Sequence, residues 1–224
     1  SALDPTWTVA KILSEPLMQK RASTKECIEK GKYLLNKVGM NEMDMEKHPY
    51  EFSGGQKQRI GIARALMANP EFVVCDEPIS ALDVSIRAQV LNLLSELQKK
   101  RNLTYLFIAH DLSVMRFIAD RIAVIHKGVF VELGETEKLF KNPLHPYTVG
   151  LQKSKPSLNQ ESKRLYSIPG QVPNPINMPN HCYFKDRCTK CIEKCNGEQP
   201  PLFKLSDTHS VACYLYEKDF LEEA

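Results

Sequence analysis

The sequence predicts an α/β fold: a parallel sheet flanked by helices, entered through a helical segment and followed by a loop-rich, cysteine-rich tail. Three observations predict it. Residues 53–140 alternate helical and strand patterns. The strands in that stretch are nearly all apolar, the pattern of a parallel sheet covered on both faces. Nine of the 14 prolines and five of the seven cysteines fall after residue 142.

The elements follow in order. Residues 6–47 read as helices. Val9, Ile12, Leu13 and Leu17 form an apolar stripe interrupted by Pro16, and Cys27, Ile28, Leu34, Leu35 and Val38 form a second one, ended by Gly39. A helix from Ser53 to about Asn69 stops at Pro70, and a buried strand follows over Glu71–Asp76. A long amphipathic helix spans Val84–Lys100, Leu103–Ala109 is a strand, and Leu112–Ala119 is a short helix. Arg121–His126 and Val129–Leu133 read as two strands joined by a tight turn at Lys127-Gly128. The remainder, 141–224, is rich in Pro, Asn and Cys, with no internal repeat.

Composition excludes several classes. With 42% apolar and 25% charged residues in 224, the chain is not globally disordered. A net charge of +3 gives no electrostatic case for nucleic-acid binding. No run approaches the ~18 apolar residues of a membrane-spanning helix. Ser1-Ala2-Leu3-Asp4-Pro5 has no signal-peptide pattern, and without an initiator Met the chain is expected to start inside a longer one.

The residues that carry chemistry begin at Ser53-Gly54-Gly55-Gln56, followed by Lys57-Gln58-Arg59. A hydroxyl residue caps a helix whose glycines permit close approach, so first-turn N–H groups and the helix dipole point at an anion. A plain Ser cap after a turn is the simpler alternative. Phe72-Val73-Val74-Cys75-Asp76-Glu77 is an apolar strand ending in two carboxylates, the Walker B arrangement. Asp76 would hold Mg²⁺ through its water shell, and Glu77 would polarise an attacking water. The alternative is an exposed Asp-Glu turn before Pro78. Ser80-Ala81-Leu82-Asp83 follows, and His110 stands at the carboxyl end of the next strand, where ligands bind in such sheets.

Together these motifs resemble the ATP-binding subunits of ABC transporters. Ser53–Gln56 matches the family signature, with Phe52 where Leu is usual. Phe72–Glu77 matches Walker B, Ser80–Asp83 the D-loop, and His110 the switch histidine. Asn142-Pro143-Leu144-His145-Pro146-Tyr147-Thr148 and the cysteine-rich tail look like the C-terminal extension of oligopeptide/dipeptide importer ATPases. The stretches Pro78–Ile86 and Pro173–Asn177 favour the second of that system's two ATPase subunits. No G-x-x-x-x-G-K-[ST] occurs, so the loop that cradles phosphates is missing. The chain is therefore expected to be a subunit without its N-terminal part, unable to hydrolyse ATP alone. The resemblance implies a partial ABC-type (RecA-like) nucleotide-binding domain. Residues 1–60 would form the helical subdomain ending in the signature, 61–140 the second half of the ATPase core, and 141–224 the extension.

The tail reads Cys182-x5-Cys188-x2-Cys191-x3-Cys195-x17-Cys213, which calls for a metal. Thiolate-only ligation suits zinc and iron–sulfur clusters alike, so spacing leaves both open. The resemblance implies a [4Fe–4S] cluster on Cys182, Cys188, Cys195 and Cys213, with Cys191 extra. Lys185, Arg187, Lys190 and Lys194 either offset the cluster's charge or form a solvated basic loop.

For function, the resemblance implies ATP hydrolysis with Mg²⁺, driving peptide uptake from the cytoplasmic face of a membrane to which the subunit is peripheral. Two ATPase subunits would pair head to tail. Ser53, Gly54, Gly55, Gln56 and Asp83 would then face ATP held by the partner, while Asp76, Glu77 and His110 would act on ATP held by this subunit. Two permease subunits and, indirectly, an extracellular peptide-binding protein complete the set of partners. Nickel import is an alternative cargo. A soluble ABC-type ATPase acting on DNA or ribosomes is a rival. So is a non-catalytic metal-binding module, which leaves the paired carboxylates and His110 unexplained.

Overall fold

The computed structural model describes residues 3–154, 166–171 and 176–217. Most of the Pro173–Asn177 stretch lies outside the described residues. The chain divides into two compact units, Ser1–Asp111 and Leu112–Ala224.

The first unit opens with three packed helices, α1 (Val9–Met18), α2 (Thr24–Lys37) and α3 (Gly54–Met67). Each begins on a hydroxyl cap. The side chains of Thr8, Ser23 and Ser53 accept from Lys11, Glu26 and Gln56 N–H. Val9, Ile12, Leu13, Cys27, Leu34, Leu35, Ile60 and Met67 interlock in one core, joined by Leu93 and Leu97. Sequence alone expects Pro16 to interrupt α1, yet the helix runs through it to Met18. The ring removes one hydrogen bond in the last turn only, and the burial of Ile12, Leu13 and Leu17 around it outweighs that loss.

After Pro70 the chain enters β1 (Phe72–Asp76), crosses through α4 (Val84–Arg101) and returns as β2 (Thr104–Ile108), parallel to β1. The parallel sheet is thus present, but its expected double cover is not found among the described residues. Val73 and Cys75 are buried, whereas Phe72, Val74, Leu106 and Ile108 are each about half exposed. The Tyr105 hydroxyl donates to Leu94 O at 3.1 Å, on the covered side. Both faces carry apolar residues, so the sequence gives no sign of which one the described chain covers.

The second unit begins with α5 (Leu112–Ile118), followed by the hairpin β3 (Arg121–His126) and β4 (Val129–Glu135). Its turn lies where sequence places it. Lys127 and Gly128 both have positive φ, 49° and 81°, as a two-residue hairpin turn of matching twist requires. Next come α6 (Thr136–Lys141) and α7 (Pro146–Lys153). The tail then supplies two strands that sequence patterning missed, β5 (Phe203–Ser206) and β6 (His209–Val211). They complete an antiparallel sheet in the order β3-β4-β6-β5. At four and three residues, they are too short for alternation to register.

A buried polar knot pins this sheet. The Glu132 carboxyl is fully buried on β4 and accepts from Leu144 N–H at 2.9 Å and His145 N–H at 3.0 Å. His209 Nε2 on β6 lies 2.9 Å from its Oε1. His145 caps α7, its Nδ1 accepting from Tyr147 N–H at 3.0 Å. Burial pushes the His145 imidazole down to about 4, which keeps Nδ1 free to accept at neutral pH. The Asn142–Thr148 motif is therefore a structural clasp: it starts a helix and closes on Glu132.

Candidate functional site

The site grows from the parallel pairing of β1 and β2. Asp76 stands opposite Ile108, so the residues just beyond each strand emerge side by side at the carboxyl edge. Glu77 N–H donates to Ile108 O at 2.9 Å. Glu77 Oε1 then lies 3.1 Å from His110 Nδ1, with both side chains well exposed. Residues 33 apart in sequence meet here. Glu77 also holds φ at +44°, a left-handed conformation uncommon for a residue with a side chain. Asp76 is exposed at the strand end.

Beyond β1 the chain turns at once. Ser80 Oγ donates to Glu77 O at 3.1 Å, and Asp83 caps α4 by accepting from Ile86 N–H at 2.9 Å. Arg87, one turn into α4, donates to Leu82 O at 3.2 Å and reaches Asp111 at 3.8 Å. It thereby ties the turn after β1 to the residue that follows His110.

The N-terminus of α3 faces this turn. Ser53 and Gln56 form a reciprocal capping box: Ser53 N–H donates to Gln56 Oε1 at 2.9 Å, and Gln56 N–H donates to Ser53 Oγ at 3.3 Å. The two glycines differ. A Cβ on Gly54 would meet nothing within 4 Å, whereas one on Gly55 would lie 2.9 Å from Ala81 O and 3.3 Å from Leu82 Cδ2. Sequence reasoning gives Gly55 a phosphate as its reason to lack a side chain; within the chain the reason is the Ala81 carbonyl.

Gln58 is the residue sequence reasoning passed over. Its Nε2 donates to Glu77 O at 2.6 Å and lies 3.5 Å from Ser80 Oγ, and its Oε1 accepts from Ala81 N–H at 3.2 Å. Its place one turn into a capped helix, on the side of Gly54 and Gly55, was the available signal.

In the tail, all seven cysteines of the chain being free thiols, Cys182 and Cys195 are buried against Phe184 and Tyr214, with Cys188 packed alongside. Burial pushes the Cys182 thiol up to about 11 and that of Cys213 to about 12, and neighbouring thiols push both the same way. Exposed Cys191 feels Cys195 and Cys188 similarly. The donors are therefore right in kind. Among the described residues, however, no three His, Cys, Asp or Glu side chains are arranged to hold a metal ion. Cys75, with its thiol pushed up to about 11 by burial, is an inert core residue.

Comparison with known proteins bears on these arrangements. Residues 2–80 match the ABC transporter family, and residues 131–195 match the family described as "Oligopeptide/dipeptide transporter, C-terminal region". The dipeptide transport ATP-binding protein DppF of Haemophilus influenzae is 46% identical over 216 residues, which cover 96% of this chain and 66% of that protein. The oligopeptide transport ATP-binding protein AppF of Bacillus subtilis is 45% identical, covering 96% and 67%. OppF of Streptococcus pyogenes reaches 59% over 83% of this chain and 62% of its own length. The chain thus spans about two thirds of the length of these relatives. Among solved structures, the dimeric ATP-binding cassette MJ0796 bound to ADP and Pi is 30% identical with a TM-score of 0.54, over 60% of this chain and 59% of that one.

Proposed function

The chain belongs to the ABC transporter family, among its oligopeptide and dipeptide transport ATP-binding proteins, and from that premise we propose that it is part of the ATP-hydrolysing subunit of a peptide importer. One observation carries the reading. The 3.1 Å Glu77–His110 pair sits at the carboxyl end of a parallel strand pair, clasped to the helix that bears Ser53–Gln56. In this arrangement Glu77 accepts a proton from water attacking the γ-phosphate of ATP bound by its own subunit, and His110 orients its carboxylate. Asp76 holds Mg²⁺ through water. Ser53, Gly54, Gly55 and Gln56, with Asp83, face nucleotide on a second ATPase subunit. No helix among the described residues is long and apolar enough to cross a membrane. Contact with the bilayer then runs through two permease subunits at its cytoplasmic face. Reconstituting the complete subunit with its partner ATPase, permeases and binding protein tests this. Labelled peptide should accumulate only with hydrolysable ATP. Accumulation of nickel in place of peptide, or peptide entry without ATP, would refute the cargo or the energy source respectively.

The tail enters the same proposal as a metal module. Cys182, Cys188, Cys195 and Cys213 bind one [4Fe–4S] cluster, and Cys191 is dispensable. The thiol-only donor set supports this, as does a tail short of apolar core. Anaerobically purified protein should carry about four Fe per chain. Cys188→Ser should lose the iron and Cys191→Ser should keep it. Stoichiometric zinc with no iron would overturn the cluster and leave the four ligands standing.

A further inference from the structure

We propose that Gln58 is a positioning residue for Glu77: it locks the turn that bears the base to the signature helix α3, so that contact of Ser53–Gln56 with one nucleotide aligns Glu77 on the other. The inference rests on the function proposed above and adds a residue to it. Glu77 is held in its left-handed conformation by both backbone groups. Its N–H is fixed by Ile108 O on β2. Its carbonyl receives the Ser80 hydroxyl at 3.1 Å, from the same turn, and the Gln58 amide at 2.6 Å, from a different element. A strained conformation persists only where its surroundings over-determine it. Gln58 is the one side chain of α3 seen to supply that support.

The amide cannot flip without losing both contacts, because Nε2 must donate to Glu77 O and Oε1 must accept from Ala81 N–H. Gly55, three residues earlier on the same helix, touches the same turn at Ala81 O. The turn from Glu77 to Leu82 is therefore gripped at two points by the first two turns of α3. A shift of the α3 N-terminus towards a phosphate must carry the Glu77 carbonyl with it. Small displacements at a reacting centre cost rate steeply, so this grip matters for turnover rather than for binding.

The test uses the complete subunit assembled with its ATPase partner, with steady-state ATP hydrolysis as the readout. Gln58→Met keeps length and volume and removes both polar contacts. Gln58→Glu keeps an acceptor for Ala81 N–H and replaces the donor with a carboxylate oxygen facing Glu77 O. Both should lower kcat about tenfold or more, while KM for ATP and the melting temperature stay near wild type. A kcat for Gln58→Met within about twofold of wild type overturns the inference. So does a fall in melting temperature, or a rise in KM, that accounts for the lost activity, since Gln58 would then be structural. An inactive wild-type assembly would instead overturn the proposed function itself, which separates the two failures.

Discussion

Glu77→Gln in the complete, partnered subunit leaves ATP binding intact and slows hydrolysis at this subunit's own site by about 10²-fold or more, the scale of a lost general base. The amide preserves size and leaves the backbone contacts at Ile108 O, Gln58 and Ser80 in place. What it removes is the oxygen that can take a proton beside His110. Equilibrium binding of a fluorescent nucleotide and single-turnover hydrolysis separate the two effects. Unchanged single-turnover hydrolysis at that site would show that Glu77 is not the base.

A carboxylate on the signature helix has the second large effect: it blocks ATP-driven pairing of the two ATPase subunits. Gly55→Asp does so, but it also drives a Cβ to 2.9 Å from Ala81 O, so its loss has two causes. Gly54→Asp is the cleaner variant. Nothing within 4 Å resists a side chain there, and an acidic group in the first turn suits the helix dipole. That variant should fold as well as wild type, yet fail to dimerise with ATP, because its charge opposes a γ-phosphate offered by the partner. Nucleotide-dependent dimerisation at wild-type affinity, read by analytical ultracentrifugation, would remove Ser53–Gln56 from the trans contact.

Much of this site was legible because its parts are local. The Ser53 cap, the β1 strand with its terminal carboxylates and the Asp83 cap each announce themselves within a few residues. The meeting of Glu77 and His110 was legible at one remove: parallel strands with a helical crossover bring their carboxyl ends together. Gln58 offered only its place on the helix face of Gly54 and Gly55, with no sign of its partners. An amide on a helix reads as a solvated residue until the facing turn is known, and its partners are backbone groups that have no identity in sequence. The half-open sheet escaped for the opposite reason, since apolar residues on both faces carry no mark of what covers them. In the tail, Cys and Pro density masked β5 and β6; β6 is placed by hydrogen bonds to β4 and by Glu132, and β5 by pairing with β6.

The position of β6 sets an order of events during synthesis. Val211 pairs with Glu132, 79 positions away in sequence, and β5 joins the sheet only through β6. Closing so long a loop is slow compared with forming the α1–α2–α3 bundle, whose helices lie nearer one another in sequence. The first unit can compact while the ribosome is still translating the second. The β3–β4 hairpin, by contrast, leaves the ribosome with β4 unpaired on one side and Glu132 without His209. It must wait for His209–Val211 to be made before its edge is covered. Through that interval the nascent second unit presents an open strand edge, and the stretch around Glu132 is where assistance or misassembly during biogenesis will act.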